Sequence, residues 1–353
     1  MSIDLLLQSI DHQFPVREAN LNGETLSGLR LNDGIVLSSS FRASQFTRAR
    51  LTSMTFQECD FSGASFADAS VDKCTFVDCR ASGSDWRRAR LSQSAFMTSD
   101  FSHSDFGESR LNQTTVMRCV LAHTILRKAS LSQSALMGCD LDNVVLDNAK
   151  LTNAAITQAD LRTAQLKGLS CDTIHFSECD LSERDLSGLM LARANLSGAK
   201  LKGTNLSGTD LSGSVLTGAS LVGADLSGAR APNTLFVRAD LQAARLRNAN
   251  LTQCIFVEAR LDGCDLSGTQ LGTAVFTRAS ARGASFAGSD LSYALMHHAM
   301  VDGSDFSGTR FLRTDFHCAS TECSRFVNQH GILNTVPERA VAELYDPSRV
   351  IPL

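Results

Sequence analysis

The residues best suited to chemistry are few. His297, His298, His317 and Cys318 are clustered in the sequence, and imidazole and thiolate together suit zinc. Their spacing matches no common zinc signature, and pairs of surface histidines are ordinary. His103 and His123 form a second, weaker pair, and His175 stands apart. There are eleven Cys. No phosphate-binding glycine loop, nucleophile elbow or paired-histidine protease motif occurs. The reading assigns no catalytic residue, no cofactor and no metal, and expects a protein that is not an enzyme. The four clustered residues are kept as metal candidates.

What must position any of these groups is a repeat. Residues 191–230 read LARAN LSGAK LKGTN LSGTD LSGSV LTGAS LVGAD LSGAR. A bulky apolar residue, here called i, recurs at every fifth position. A small residue sits at i−2, Asp or Asn often at i−1, Ser or Thr at i+1 and Gly at i+2. The phase runs unbroken from Leu21 to Phe326, over 62 consecutive i positions. Only Ala81, Cys171, Ala231, Ala281, Met296 and Thr321 depart from Leu, Ile, Val, Phe or Trp there. Of the 19 Phe, all but Phe14 stand at i. A period of five suits neither an α-helix nor an alternating strand. Two inward positions in five fit a short bridge and a turn, repeated so that each layer pairs with the next. One unit cannot bury its Leu alone, and stacking supplies the core.

The units ADLSG (224–228) and ANLSG (194–198) resemble the pentapeptide-repeat family, over about residues 16–330. The resemblance implies an all-β fold: a right-handed, four-sided parallel β-helix of about 15 coils, with four repeats to a coil. Three segments are expected: an N-terminal cap (1–15), the β-helix (16–330), and a C-terminal capping helix and tail (331–353). The helix is placed at 337–345, with Pro337 in its first turn.

Several deviations are legible. Cys59, Cys74, Cys79, Cys119, Cys139, Cys179, Cys254 and Cys264 stand at i−2 and Cys171 at i, so they read as small core residues. Phe56, Phe76 and Phe96 fall one coil apart, as do Phe236, Phe256 and Phe276, and Phe46, Phe66, Trp86 and Phe106; these predict aromatic ladders. Large residues at Leu169, Ile174, Arg184 and Leu189 predict a bulge or junction near 169–190. Glu24, Leu29, Met54 and Val144 are isolated misfits, and Ala231-Pro232 predicts a local kink or a changed turn.

Outside the core, the i−1 columns differ by face. Two are acidic: one carries Asp60, Asp100, Asp140 and Asp240, the other Asp105, Asp185, Asp225 and Asp305. A third is basic, with Arg30, Arg50, Arg90, Arg110, Lys150, Arg230 and Arg310. The fourth face is apolar and carries Met97, Met117, Met137, Val215, Leu235, Val237, Ile255, Val257, Val275 and Leu295. Such a stripe exceeds what a monomer ordinarily leaves in water. It predicts a face for another protein or for a second copy of the chain.

The expected function is therefore a non-catalytic interaction scaffold or adaptor. The resemblance adds two implications: work beside a bacterial secretion or effector system, or mimicry of DNA toward a topoisomerase such as DNA gyrase. Against mimicry stand the basic column and a net charge of only −4. The same balance disfavours direct nucleic-acid binding. No membrane and no small-molecule substrate are expected. Leu5-Leu6-Leu7 is too short for a signal core and follows Asp4, so a bacterial cytoplasmic location is expected, with signal-independent export left open.

Overall fold

The computed structural model describes residues 2–343 and divides into two compact units, Met1–Leu181 and Ser182–Leu353. Both obey one rule. The backbone N–H at i donates to the coil that follows: Leu121 N–H to the Asp140 carbonyl at 2.8 Å, Leu221 N–H to that of Asp240 at 2.6 Å. Paired residues such as Asp100 and Val120, or Asp225 and Arg245, are parallel and 20 apart. Four repeats therefore make one coil, and each unit is a parallel β-solenoid.

In the N-terminal unit two faces form eight-stranded parallel sheets. One runs from Val16–Arg17 to Ala155–Thr157, the other from Arg30–Asn32 to Ser170–Asp172. The middle residue of each three-residue strand is the i residue and points inward, because alternate side chains leave opposite sides of a strand. The other two faces are joined by isolated bridges. In the C-terminal unit isolated bridges serve all four faces, apart from a short pair between Thr314–Asp315 and Ile332–Leu333. In both units the residue at i+2 is left-handed, as at Gln113 (φ 52°) and Gly213 (φ 64°). This repeated left-handed residue turns the chain through each corner.

The i positions make the core. Phe46 stacks on Phe66 at 4.6 Å, Phe66 on Trp86 at 4.0 Å and Trp86 on Phe106 at 5.4 Å. Phe56, Phe76 and Phe96 stack beside them, and Phe236, Phe256 and Phe276 repeat the device in the C-terminal unit. Trp86 satisfies its indole N–H on Ser84 Oγ at 2.7 Å. The i−2 position has a polar task that periodicity did not reveal. At many coils its Ser, Thr or Cys side chain donates to the carbonyl of an i residue one coil back, as Thr124 does to Phe101 at 2.9 Å and Cys254 to Ala231 at 2.9 Å. Nine of the eleven cysteines are buried and all are free. Burial pushes the thiols of Cys74, Cys119, Cys171, Cys254 and Cys264 up to about 12, which keeps them protonated and inert.

The first end is covered by a helix, α1 (Ile3–Asp11). Ser2 Oγ accepts the Leu5 N–H at its start, and Leu6 and Ile10 are its buried residues. Ile10 meets Gly34, where a Cβ would lie 2.8 Å from the Met54 side chain and 3.0 Å from Ile10. The glycine thus makes room for both, and Met54 is fully buried rather than a misfit.

The expected kink at Ala231-Pro232 is absent. Ala231 N–H still reaches the Asn250 carbonyl, and the Pro232 carbonyl accepts the Gly213 N–H. Proline is tolerated because the N–H at i+1 takes no part in the ladder; elsewhere it serves the i−1 side chain, as Ser212 N–H does for Asp210. At the other end α2 spans Pro337–Glu343. Residue 345, the expected end of that helix, and the tail beyond it lie outside the described residues.

Candidate functional site

Three features could carry function: the charged columns, the apolar face and the histidine–cysteine cluster. The acidic columns are mostly structural. Asp225 Oδ1 accepts the Ser227 N–H and Asp305 Oδ1 the Ser307 N–H, each at 2.9 Å, closing the turn that follows. Arginines one coil on then neutralise them: Arg245 reaches Asp225 at 3.3 Å and Arg260 reaches Asp240 at 3.0 Å. Burial opposes the charge on Asp225, but Ser227 and Arg245 outweigh it and hold the carboxyl below its ordinary value. The basic column divides by unit. Arg230 and Arg310 pair with Asp210 and Asp290. In the N-terminal unit Arg50 and Arg90, with Arg48 and Arg88, line a shallow recess that also holds Asp68 and Ser70. Arg88 is engaged by Asp68 at 2.8 Å.

On the apolar face the N-terminal unit pairs Met97, Met117 and Met137 in register on adjacent strands. Each is half-buried. In the C-terminal unit Val215, Leu235, Ile255, Val275 and Leu295 follow one another by bridges. Leu235 is exposed and the rest are half-buried, as are Val237 and Val257. The neighbours of the stack cover part of each side chain, so the stripe is shallower than the sequence suggests. Within each unit it stays apolar or small over several coils, with His175, Asn195 and Asp315 as polar members of the same column. Ile35, on the same column near the first end, is 46% exposed.

The cluster near the second end is where the sequence candidates meet. His298 and Cys318 occupy the same left-handed corner one coil apart (φ 55° and 54°), and His298 N–H donates to the His317 carbonyl. A fourth group, Glu343, is brought in by α2 from 45 residues away in the chain. Its Oε2 lies 2.9 Å from His298 Nε2 and 3.3 Å from His317 Nε2. Cys318 Sγ lies 3.5 Å from His317 Nε2. The His298 hydrogen bond leads the interactions that hold the Glu343 carboxyl below its ordinary value. His297 is taken out of the set. Its Nε2 bonds Asp315 at 2.8 Å, and its Nδ1 faces Arg339. His175 sits elsewhere, pairing with Ala155 in the N-terminal unit. His103 and His123 only stack on each other, at 4.8 Å. No spacing rule could have found Glu343, because it is placed by the docking of a terminal segment.

Together these features define a β-solenoid of five-residue units with a patterned surface. The chain belongs to the pentapeptide-repeat family. The pattern described as pentapeptide repeats matches in copies from 117–153 to 270–308, and that described as a pentapeptide repeat region matches 49–126. No curated protein matches the chain. Among solved structures it is similar to QnrB1, a plasmid-mediated fluoroquinolone resistance protein, at 20% identity over 53% of this chain and 93% of that one, TM-score 0.31. It is also similar to HetL, a pentapeptide repeat protein involved in heterocyst differentiation regulation from the cyanobacterium Nostoc, at 24% identity over 75% and 96%, TM-score 0.23. A pentapeptide repeat protein from the Arabidopsis thaliana thylakoid lumen shares 31% identity over 29% of this chain and 68% of its own, TM-score 0.24. Among the described residues no helix is long and apolar enough to cross a membrane.

Proposed function

We infer that the protein is a non-catalytic scaffold that holds a protein partner along its apolar face. The observation that carries this reading is the in-register Met97, Met117 and Met137 ladder on a sheet face whose neighbouring column, Thr75, Ala95, Thr115, Ala135 and Ala155, is small or short. Flexible thioethers above a flat floor adapt to a partner surface at little cost. Burial keeps the thiols of Cys74, Cys119, Cys171, Cys254 and Cys264 protonated, and many carboxylates of the acidic columns are engaged in turns and ion pairs. DNA mimicry toward a topoisomerase is the weaker reading, because arginine pairs with several of the carboxylates that would stand for phosphates, as at Asp225 and Asp240.

The test compares wild type with Met117→Asp and with Leu235→Asp/Ile255→Asp by light scattering and by affinity capture from the native cell. Loss of one defined partner, with circular dichroism unchanged, supports the scaffold. A wild-type dimer split by either change makes the face self-associating. Unchanged mass and unchanged capture overturn the assignment of this face.

A further inference from the structure

We propose that His298, Cys318 and Glu343 form a binding site for a zinc-class divalent ion that fastens α2 to the last coils. The argument begins with the helix. α2 has seven residues, no buried side chain, and Val341 70% exposed. A helix this short does not persist on propensity alone, and among its described residues Ala340 is half-buried and the rest are exposed. Its attachments are polar. Thr335 Oγ1 accepts the Cys318 N–H at 2.9 Å, Arg339 reaches Asp315 at 3.5 Å, and Glu343 meets the two histidines.

The donor set fits the ion. A neutral imidazole, a thiolate and a carboxylate are the three ligand types that zinc takes. Tetrahedral bonds of about 2.0–2.3 Å set ligand atoms about 3.3–3.8 Å apart. Here the three ligand atoms all lie within 4.8 Å of one another, and His298 Nε2 lies 2.9 Å from Glu343 Oε2. Small rotations of side chains that are exposed or half-buried bring them onto one ion. His298 and Cys318 are fixed by the coil spacing, so only Glu343 must be delivered, and α2 delivers it.

The surroundings act as supports. His317 is buried, and its Nδ1 accepts the Val336 N–H at 3.4 Å. That bond leaves the proton on Nε2, which points to Glu343 Oε2. Arg339 Nε donates to Glu343 Oε1 at 3.1 Å. Hydrogen bonds of this kind orient a ligating carboxylate. The fourth position is left for water beside the recess lined by Thr277, Arg278 and Ala340. Ion binding would release the Cys318 proton to solvent and leave the His298 ring proton on Nδ1, so that Nε2 and the Glu343 carboxylate exchange their hydrogen bond for bonds to the metal. The free energy of binding would then be free energy of docking for the helix.

The experiment titrates tag-free, full-length protein with Zn²⁺ by calorimetry and with Co²⁺ by absorption. We expect a single saturable equivalent, a thiolate-to-cobalt charge-transfer band, and a rise in thermal midpoint. Cys318→Ser removes the band and the equivalent, and His298→Ala removes the equivalent. Cys323→Ser, at an exposed neighbouring cysteine, changes neither. His317→Gln weakens binding by about 10-fold, as loss of an orienting bond does. Circular dichroism of each variant confirms that the coils remain. Absence of a saturable equivalent, or a band that survives Cys318→Ser, overturns the proposal.

Discussion

The two units share a period, a register and a core, yet they turn their corners differently. The column at i−2 that follows the strands of the methionine-bearing sheet reads Ala19, Ser39, Cys59, Cys79, Ser99, Cys119, Cys139 and Ala159 in the N-terminal unit, with Ser or Cys at every position but its two ends. The equivalent column in the C-terminal unit reads Ala199, Ala219, Ala239, Ala259, Ala279 and Ala299. Each of these alanines closes its own turn, its N–H donating to the preceding i carbonyl, as Ala239 does to Phe236 at 3.0 Å. Ser99 instead gives its hydroxyl to the Met97 carbonyl at 2.8 Å, and its oxygen accepts the Cys79 N–H at 2.9 Å. A side chain that both gives and takes hydrogen bonds frees the corner to open into a strand. The run of alanines in the second unit offers no such side chain one coil on. Cys179 follows a self-closed turn despite its thiol, so the effect belongs to the column and not to one residue. The open form presents in-register methionines, and the closed form presents bridged Val, Leu and Ile.

The chain carries its own probes of this contrast, because its Trp, Trp86, lies in the first unit and both Tyr lie in the second. The largest effect expected is from emptying an aromatic column. Phe66→Ala removes the ring stacked on Trp86 and should destabilise the first unit by about 3–5 kcal/mol, read from tryptophan emission in a urea titration. Phe256→Ala should do the same to the second unit, read from tyrosine. If both signals move together in either variant, the units unfold as one and the contrast is confined to surface geometry. Next is Ser99→Ala, which strands the buried Cys79 N–H unless the corner closes. The expected cost is about 1–3 kcal/mol in the tryptophan transition. A loss near zero would mean the alanine form of the corner is equally accessible in the first unit, which would break the account given above.

The smallest effect is that of acid. The carboxyls of Asp225 and Asp305 in the second unit are held below their ordinary value: Asp225 as described, Asp305 by the Ser307 hydroxyl and N–H. A depressed folded value means stabilisation that is complete above the unfolded value of about 3.9 and is lost as pH falls through the folded one. Tyrosine-reported stability should therefore fall below about pH 4, and Asp305→Asn, whose side chain still caps the turn, should blunt that fall.

The register, the ladders of Phe and the burial of nine cysteines were legible because a period of five leaves no other place for them. Pro232 and Met54 were misread for a common reason. The sequence shows a residue against its own column, whereas its fate depends on groups one coil away: an N–H not needed by the ladder in the first case, the missing side chain of Gly34 in the second. The metal candidates show the same limit. His298 and Cys318 were visible at their spacing, His297 looked equivalent until Asp315 and Arg339 claimed it, and Glu343 was invisible because a terminal segment carries it. Helix α1 went unread because nine residues with a short apolar run carry too little pattern to separate helix from cap.

The unbroken phase has a consequence of another kind. Within either unit the surface is written in a frame of 20 residues, while the core is written in a frame of five. Deleting one repeat would satisfy the core and the ladder almost unchanged, yet every face beyond the cut would advance by one side. The apolar i−1 column would then continue as the one that carries Asp100, Asp140 and Asp240. Only losses or gains of whole coils keep the faces aligned, so duplication and deletion in such a chain are silent in steps of four repeats and scrambling in every smaller step.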